Sequence, residues 1–465
     1  MTDTATTASP TADAAHWAGR LDALAVEHGV PGASLGILSG GEIAEAATGM
    51  ANLGARIEAT TDTLWQIGSI SKVWTTTVAM MLVDEGVLDL DAPVVSVLPG
   101  LRLATPELTE QVTLRHLLSH TSGIDGDFFI DTGRGDDCLE RYVERLTEAA
   151  ANHPVGATMS YCNAGFTLAG RVLEKVTGVQ WDRLMRERLY EPLGLAHTAT
   201  LPEDVLRHRA AAGHIGDPLA VTPHWMLMRS VGSAGLICST PRDVLTFARL
   251  HLDDGLAADG TRLLSADSAQ AMRTPQVALP DTRTFGDAWG LGWVLMEWSG
   301  HRLYGHDGST IGQNAFLRIL PDAGLAVCLL TNGGDTKSLY QDLFSEIFAE
   351  LAGVAMPAPL EPSAEPVPDD TSRYVGVYER ASTRMEVFER DGGLVLRSVA
   401  TGELAAMLPE AERWQEEPLL PLEPGVFVVR RPGSRGWFPV TFYELADGTP
   451  YVHTGIRATP KVRRA

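Results

Sequence analysis

Five prolines fall within residues 356–370: Pro357, Pro359, Pro362, Pro366 and Pro368. A proline fixes φ and has no N–H to donate, so neither a helix nor a central strand can run through such a stretch. It predicts an extended linker, and it divides the chain in two. Residues 15–355 form one large unit with ample apolar material for a core, and residues 371–465 form a small one. Residues 1–14, rich in Thr and Ala, read as a disordered tail.

The large unit opens with a helix over 16–28. Apolar stretches on either side of Ser39-Gly40-Gly41 then predict a β-hairpin. Over 71–82, Val73, Trp74, Thr77, Val78 and Met81 share one helical face, and Gly86 follows where a helix end is expected. The middle of the chain is mostly helical, with segments at 114–119, 138–151, 164–176, 181–190 and 241–252. Strands return at 290–298, 315–320 and 325–330, and a helix over 338–352 closes the unit. Strands at both ends with helices between predict a mixed α+β unit: one sheet drawn from distant segments, a helical insertion, and a site where the two meet. Beyond the linker, short apolar alternations at 374–378, 385–388, 394–396, 426–429 and 440–443 are broken by turns such as Asp391-Gly392-Gly393. They predict a small all-β barrel or curved sheet.

Lys and Arg number 37 against 59 Asp and Glu, a net charge of −22. Such a surface repels phosphate backbones and anionic lipid, so no nucleic-acid or membrane partner is expected. The basic end (Lys461, Arg463, Arg464) reads as a solvated tail. Cys138, Cys162, Cys238 and Cys328 form no Cys-x-x-Cys pair, which argues against a zinc site or a disulfide scaffold and fits a reducing compartment. The N-terminus lacks a basic start and an apolar block, and no run of ~18 apolar residues occurs. A cytoplasmic protein is expected, with no metal and no organic cofactor.

Three segments carry chemistry. In Gly68-Ser69-Ile70-Ser71-Lys72, one helical turn brings the Lys72 amine near the Ser69 hydroxyl. A serine hydroxyl is a poor nucleophile until a base takes its proton, and lysine serves only if burial or nearby positive charge lowers its pKa. In Tyr161-Cys162-Asn163, a phenol can relay a proton to a leaving group and an amide can orient a lysine or hold a carbonyl. In Tyr304-Gly305-His306-Asp307-Gly308-Ser309, the glycines let a strand approach a substrate, and an N–H there could join that of Ser69 in an oxyanion hole.

Ser69-x-x-Lys72, Tyr161-x-Asn163 and His306-x-Gly308, in that order, resemble the penicillin-binding-protein and class C β-lactamase superfamily. The stretches Leu114–Gly123, Pro192–Leu195 and Ser233–Leu236 add to the likeness, which covers about residues 16–352. The resemblance implies a β-lactamase/transpeptidase-like α+β domain with a central antiparallel sheet, followed by a lipocalin-like β domain. It implies Ser69 as nucleophile, Lys72 as its base, Tyr161 as second acid/base, Asn163 as polar organiser and His306 lining the strand. The N–H groups of Ser69 and Ser309, with Gly308 between strand and nucleophile, would form the oxyanion hole. Where β-lactamases and cell-wall peptidases carry Lys-Thr-Gly, this chain has His306, as in the superfamily's esterases, D-aminopeptidases and peptidyl thioesterases. The implied substrate is a small-molecule or peptide ester or thioester.

The architecture favours a stand-alone peptidyl thioesterase that cyclises a nonribosomal peptide with a D-residue at its acyl terminus, taken from a peptidyl carrier protein. Arg457 is the residue expected to reach from the small domain toward substrate. The alternative is an esterase or D-amino-acid amidase; a β-lactamase or a non-catalytic binding module ranks below both. Other signals are set aside. Gly32-x-Ser34-x-Gly36 lies in a strand, not at a nucleophile elbow. His116 and His120 lack a third metal ligand and read as helix-end residues. Cys162 reads as a small filler, ahead of a thiol open to reagents, and Trp225, Trp289 and Trp293 as core or cleft wall.

Overall fold

In the computed structural model of the chain, residues 11–402, 405, 410, 413–431 and 435–462 are described. Residues 1–10 of the expected tail, and Arg463 and Arg464 of the basic end, lie outside them. The first helix, α1 (Ala14–Glu27), starts slightly ahead of its expected position because Asp13 caps it, accepting from the N–H groups of Ala15 and His16.

The hairpin is β1 (Gly32–Ser39) and β2 (Glu42–Asn52), extended by β3 (Ile57–Glu58). Two short pairings follow within the helical region: β4 (Trp65–Gln66) with β7 (Cys238–Ser239), and β5 (His214–Ile215) with β6 (Ala220–Val221). Late strands are β8 (Val277–Ala278), β9 (Ala288–Trp289), β10 (Val294–Trp298), β11 (His301–Ser309), β12 (Asn314–Leu320) and β13 (Leu325–Thr331). They join the hairpin in one antiparallel sheet of nine strands, ordered β3-β2-β1-β13-β12-β11-β10-β9-β8. The first and last strands of the unit thus pair at the sheet centre, as the distribution of strands along the chain predicts.

Strand periodicity separates two cores. In β13, Ala326, Cys328 and Leu330 face α2 (Ser71–Asp84) and the helix Pro241–Leu252, while Leu325, Val327 and Leu329 face α1 and the helix Thr336–Ala352. Both faces are covered, so β1 and β13 are buried along their whole length. Helix α2 is buried on all sides rather than on one face. Its threonines are satisfied internally: Thr76 and Thr77 donate to the carbonyls of Lys72 and Val73, and Thr75 to that of Ser233.

Two expected elements are interrupted and a third changes its winding. The helix expected over 138–151 ends at Glu144, with a 3-10 turn at Leu146–Glu148, because the following residues pair with 123–125 (Asp125 N–H to Ala150 O, Asn152 N–H to Gly123 O). That expected over 181–190 is an α-helix only at Trp181–Met185 and continues as a π turn. The strand expected over 290–298 is split by a turn closed from Gly290 N–H to Trp293 O, with Gly292 at φ 77°.

The linker carries no helix or strand over 354–370; Ser363 N–H bonds Pro421 O and the Gln341 amide bonds Pro357 O. The small unit is the expected β domain, with eight antiparallel strands: β14 (Gly376–Arg380), β15 (Thr383–Arg390), β16 (Gly393–Ala400), β17 (Trp414–Glu423), β18 (Val426–Val429), β19 (Phe438–Glu444), β20 (Pro450–Thr454) and β21 (Arg457–Pro460). The ends nearly close, with Val462 N–H bonded to Val377 O. Tyr378, Val387, Leu396, Leu419, Phe427 and Val452 fill the interior. Strand β17 escapes the sequence reading because it carries Pro418 and Pro421, the latter beside a register shift. Among the described residues no helix is long and apolar enough to cross a membrane.

Candidate active site

Ser69 sits in a 3-10 turn, Gly68–Ile70, that leads into α2. The turn is pinned from two sides. Ile67 N–H bonds Ile237 O, and the Ser71 hydroxyl accepts from Ile237 N–H. On the other side the end of β11 presses against it. A Cβ on Gly308 would lie 1.9 Å from Ile67 O, and one on Gly68 (φ 51°) would lie 2.7 Å from Ser309 N. Only glycines allow this approach, which sets the backbone of Ser309 against that of Ser69.

Lys72 projects from the first turn of α2 and is fully buried. Its Nζ lies 3.1 Å from Ser69 Oγ and donates to Ala234 O at 2.7 Å. Burial drives its pKa well below the ordinary lysine range, and the Arg457 charge lowers it further. A neutral amine here has a lone pair to offer the Ser69 proton.

Tyr161 lies beside this pair, with Lys72 Nζ 4.8 Å from its ring centre. Its buried hydroxyl has no hydrogen-bond partner among the described residues. Burial raises the phenol's pKa; the nearby Ser69 hydroxyl and Arg457 charge offset only part of that. His120 is a packing and hydrogen-bonding residue at its helix end, as expected, and what it supports is Tyr161. Its ring stacks on the phenol at 4.3 Å, and its Nδ1 accepts from Cys162 N–H at 2.9 Å. His116 does serve its helix end, in a capping box with Thr113.

Asn163 opens the helix Asn163–Thr177 and lines the cleft, while the Lys72 amine is held by Ser69 and Ala234. Cys162 caps that helix through Sγ, and burial lifts its thiol to about 12, out of reach of ordinary thiol chemistry. His306 is buried on β11 and donates from Nδ1 to Asp307 O, which leaves the lone pair on Nε2. Burial pushes its pKa down to about 3, so it stays neutral. The expected residues Ser69, Lys72, Tyr161, Asn163, His306, Gly308 and Ser309 therefore converge.

The small domain completes the site through the β20–β21 turn. Ile456 O accepts from Tyr161 N–H at 2.9 Å, and Ala458 N–H donates to Ser160 Oγ. Arg457 reaches the site as expected, but its guanidinium is held by Asp127 at 2.7–3.1 Å and lies 5.2 Å from the centre of the Tyr161 ring. Arg380 on β14 grips the same carboxylate at 2.7 Å. Burial pushes the Asp127 pKa up, but the two arginines outweigh it and hold the group below the usual carboxylate range. Asp127, Arg380, Ile456 and Ala234 carry no motif of their own. Ala234 lies in the Ser233–Leu236 stretch, whose likeness to the superfamily was visible while its carbonyl's role was not.

A cleft of about 810 Å³ runs from Ser69 into the mouth of the β domain. Its apolar wall comes from Phe129, Leu227, Phe285, Phe316 and Phe438. Trp289 and Trp293 are core residues; Trp289 backs His120 and His306 edge-on. Trp225 bonds Ala211 O. Ser34 is buried within β1 and accepts from the Trp65 indole, so the Gly-x-Ser-x-Gly match is structural. Among the described residues no cluster of His, Cys, Asp and Glu could hold a metal ion.

Comparison with known proteins agrees with this geometry. The family model Beta-lactamase matches residues 14–350. Penicillin-binding protein 4 of Amycolatopsis lactamdurans is 48% identical, over 79% of this chain and 98% of its own. The crystal structure of SurE superposes with a TM-score of 0.75 at 28% identity, covering 97% of this chain and 99% of that one. The SurE structure with D-Leu gives 0.74 at 27%, with the same coverage. The D-amino acid amidase of Ochrobactrum anthropi SV3, complexed with D-phenylalanine, gives 0.58 at 26%, over 70% of this chain and 93% of that one. The family match spans most of the chain and the penicillin-binding protein matches along nearly its full length; the chain belongs to the β-lactamase/penicillin-binding-protein superfamily of serine hydrolases.

Proposed function

We propose that the protein forms an acyl-enzyme on Ser69 and passes the acyl group to an amine or to water. The observation that carries this reading is the buried Lys72 amine, shared between Ser69 Oγ and Ala234 O. Ser69 Oγ attacks the acyl carbonyl carbon as its proton moves to neutral Lys72. The N–H groups of Ser69 and Ser309 hold the resulting oxyanion, and the pressed contact at Gly308 fixes their spacing. Tyr161, kept protonated by burial, gives its proton to the departing thiol, alcohol or amine and regains one through Lys72. A base held neutral beside an acid held protonated is the division of labour this chemistry needs at neutral pH. An amine or water then attacks the ester, and the same groups return their protons. Asn163 holds the substrate carbonyl, His306 walls the strand side, and Arg457 positions Tyr161 and keeps Lys72 deprotonated.

The specific reading is a stand-alone peptidyl thioesterase that cyclises a peptide with a D-residue at its acyl terminus. Supporting it are the size of the cleft, the β domain as its second wall, and a full-length structural neighbour solved with D-Leu. Hydrolysis of small D-amino-acid amides or esters is the second reading, supported by the likeness to a D-amino acid amidase.

The test offers purified protein a peptide thioester ending in a D-residue, its L-epimer and a p-nitrophenyl ester, with Ser69→Ala as control. Cyclic product from the D-substrate alone, read by mass spectrometry, is expected. Linear acid or nitrophenol alone would make the protein a hydrolase, and equal turnover by Ser69→Ala would remove the acyl-enzyme reading.

A further inference from the structure

The barrel end of the cleft holds charges that the reaction at Ser69 does not use. Lys337, in the first turn of the helix Thr336–Ala352, and Arg431, just beyond β18, both line the cleft. Lys337 Nζ lies 4.7 Å and the Arg431 guanidinium 4.9 Å from the centre of the same ring, Phe438. The two cations are thus within about a Debye length, ~10 Å, of each other. Neither has an ion pair among the described residues, in a chain whose net charge is −22.

Asp307 and Asp335, the carboxylates that act on Lys337, are otherwise engaged. Asp307 is bonded to Arg318 at 2.5 Å, and Asp335 caps its helix and faces Arg435 at 3.9 Å. Glu417 also lines this stretch; it is 6% exposed and its Oε1 has no partner among the described residues. Burial lowers the Lys337 pKa; Asp307 and Asp335 raise it, and Arg431 adds to the lowering. Two like charges gathered on one aromatic ring, facing a cavity, with the Glu417 carboxylate acting on Arg431 and not on Lys337, favour an anion between them. The third motif, with His306 in place of lysine, supplies no such charge at the other end.

We propose that Lys337 and Arg431, packed on Phe438, form a subsite for an anionic group of the substrate, a carboxylate or a phosphate, with Glu417 Oε1 accepting from an N–H or O–H beside it. This rests on the reading that Ser69 acylates. The anion can belong to the acyl chain or to the leaving group, and the two sources are separable.

Three thioesters of one D-terminated peptide serve as probes: a neutral N-acetylcysteamine ester, the same ester with an N-terminal succinyl carboxylate, and the peptide on 4′-phosphopantetheine. A kcat/KM about tenfold above the neutral twin is expected for one anionic probe, as for a hydrogen bond to a charged group. Preference for the succinyl probe puts the anion on the acyl chain, and preference for the phosphorylated probe puts it on the leaving group. The Lys337→Gln/Arg431→Gln protein should lose that preference while turning over the neutral twin as before. No preference in the wild type, or a preference that survives the double substitution, overturns the subsite. Calorimetric binding of the three probes to Ser69→Ala, with and without the double substitution, reads the subsite even if none is turned over; the neutral twin's Ser69-dependent turnover tests the acylation reading by itself.

Discussion

The molecule contains two antiparallel sheets built to opposite specifications. The nine-stranded sheet is buried on both faces between helices, and its central strands expose nothing. The eight-stranded sheet curls on itself, fills one end of its interior with apolar side chains, and opens the other end onto the cleft through Arg380, Ser398, Glu417 and Arg431. A sheet packed on both sides has no room to shift, so it suits groups that need fixed spacing. A half-filled barrel can line a cavity whose contents vary. The reacting groups stand where the helices meet the first, with Ser69 and Lys72 on the turn and helix packed against β11, and the second reaches them through the turn from Thr454 to Arg457.

The largest expected effect tests whether chemistry belongs to the larger unit alone. Ser69→Ala should lower turnover by at least about 10³-fold while leaving the unfolding midpoint close to wild type, because the 3-10 turn is held by backbone and by Ser71 rather than by the Ser69 hydroxyl. Residual turnover near wild type would mean that the cleft works without this nucleophile.

The next effect tests whether the two units are joined energetically. Asp127 is the buried anion between Arg380 and Arg457, with its side chain only 9% exposed. Asp127→Ala leaves two buried guanidiniums without their partner and should cost about 3–5 kcal/mol by denaturant titration. Its folded pKa is depressed, so the junction's contribution is complete above about pH 4 and is lost as pH falls toward the folded value. Acid titration of wild type should therefore loosen the β domain in that window, whereas Asp127→Ala should lack the transition.

A smaller effect separates charge from geometry. Arg457 lowers the Lys72 pKa from the other domain. Arg457→Gln should let that pKa rise, so the acidic limb of the pH–rate profile moves to higher pH and turnover at neutral pH falls about tenfold, a fraction of the loss when a general base is removed. Arg457→Lys keeps the charge without the fork, and should keep the limb near its wild-type position. An unmoved limb in Arg457→Gln would confine Arg457 to holding the junction together.

How much of this could be read along the chain follows the same division. Ser69, Lys72, Tyr161 and His306 stand in short motifs whose chemistry demands those side chains, and glycine at 308 is required by a backbone contact, so residue type alone betrays them. The largely apolar runs of β12 and β13 were legible from their composition. Asp127 was not: an aspartate in a polar loop becomes a buried anion only when a segment more than three hundred residues later brings Arg457 to it. Ala234 was invisible because its contribution is a carbonyl, which every residue has. His120 was legible as a packing or hydrogen-bonding residue at a helix end, but not its partner, because Tyr161 is forty-one residues further along the chain. Strand β17 was hidden by its own prolines.

The smallest effect asks whether every contact across the junction matters equally. Arg283 and Glu423 also bridge the two units, at 2.6 Å, but their side chains are 28% and 47% exposed. Water solvates both partners already, salt screens them, and two long side chains must be held still to meet. Such pairs are worth about 0–1 kcal/mol. Arg283→Ala should therefore change stability by no more than that, with no acid transition of its own and no movement of the pH–rate limbs. A loss as large as that of Asp127→Ala would mean that the units adhere over a broad face. A negligible loss would leave the buried contacts, namely the Asp127 clamp, the Ile456 and Ala458 backbone bonds and the Tyr451 hydroxyl on Asn152 O, as the points where the barrel is fastened.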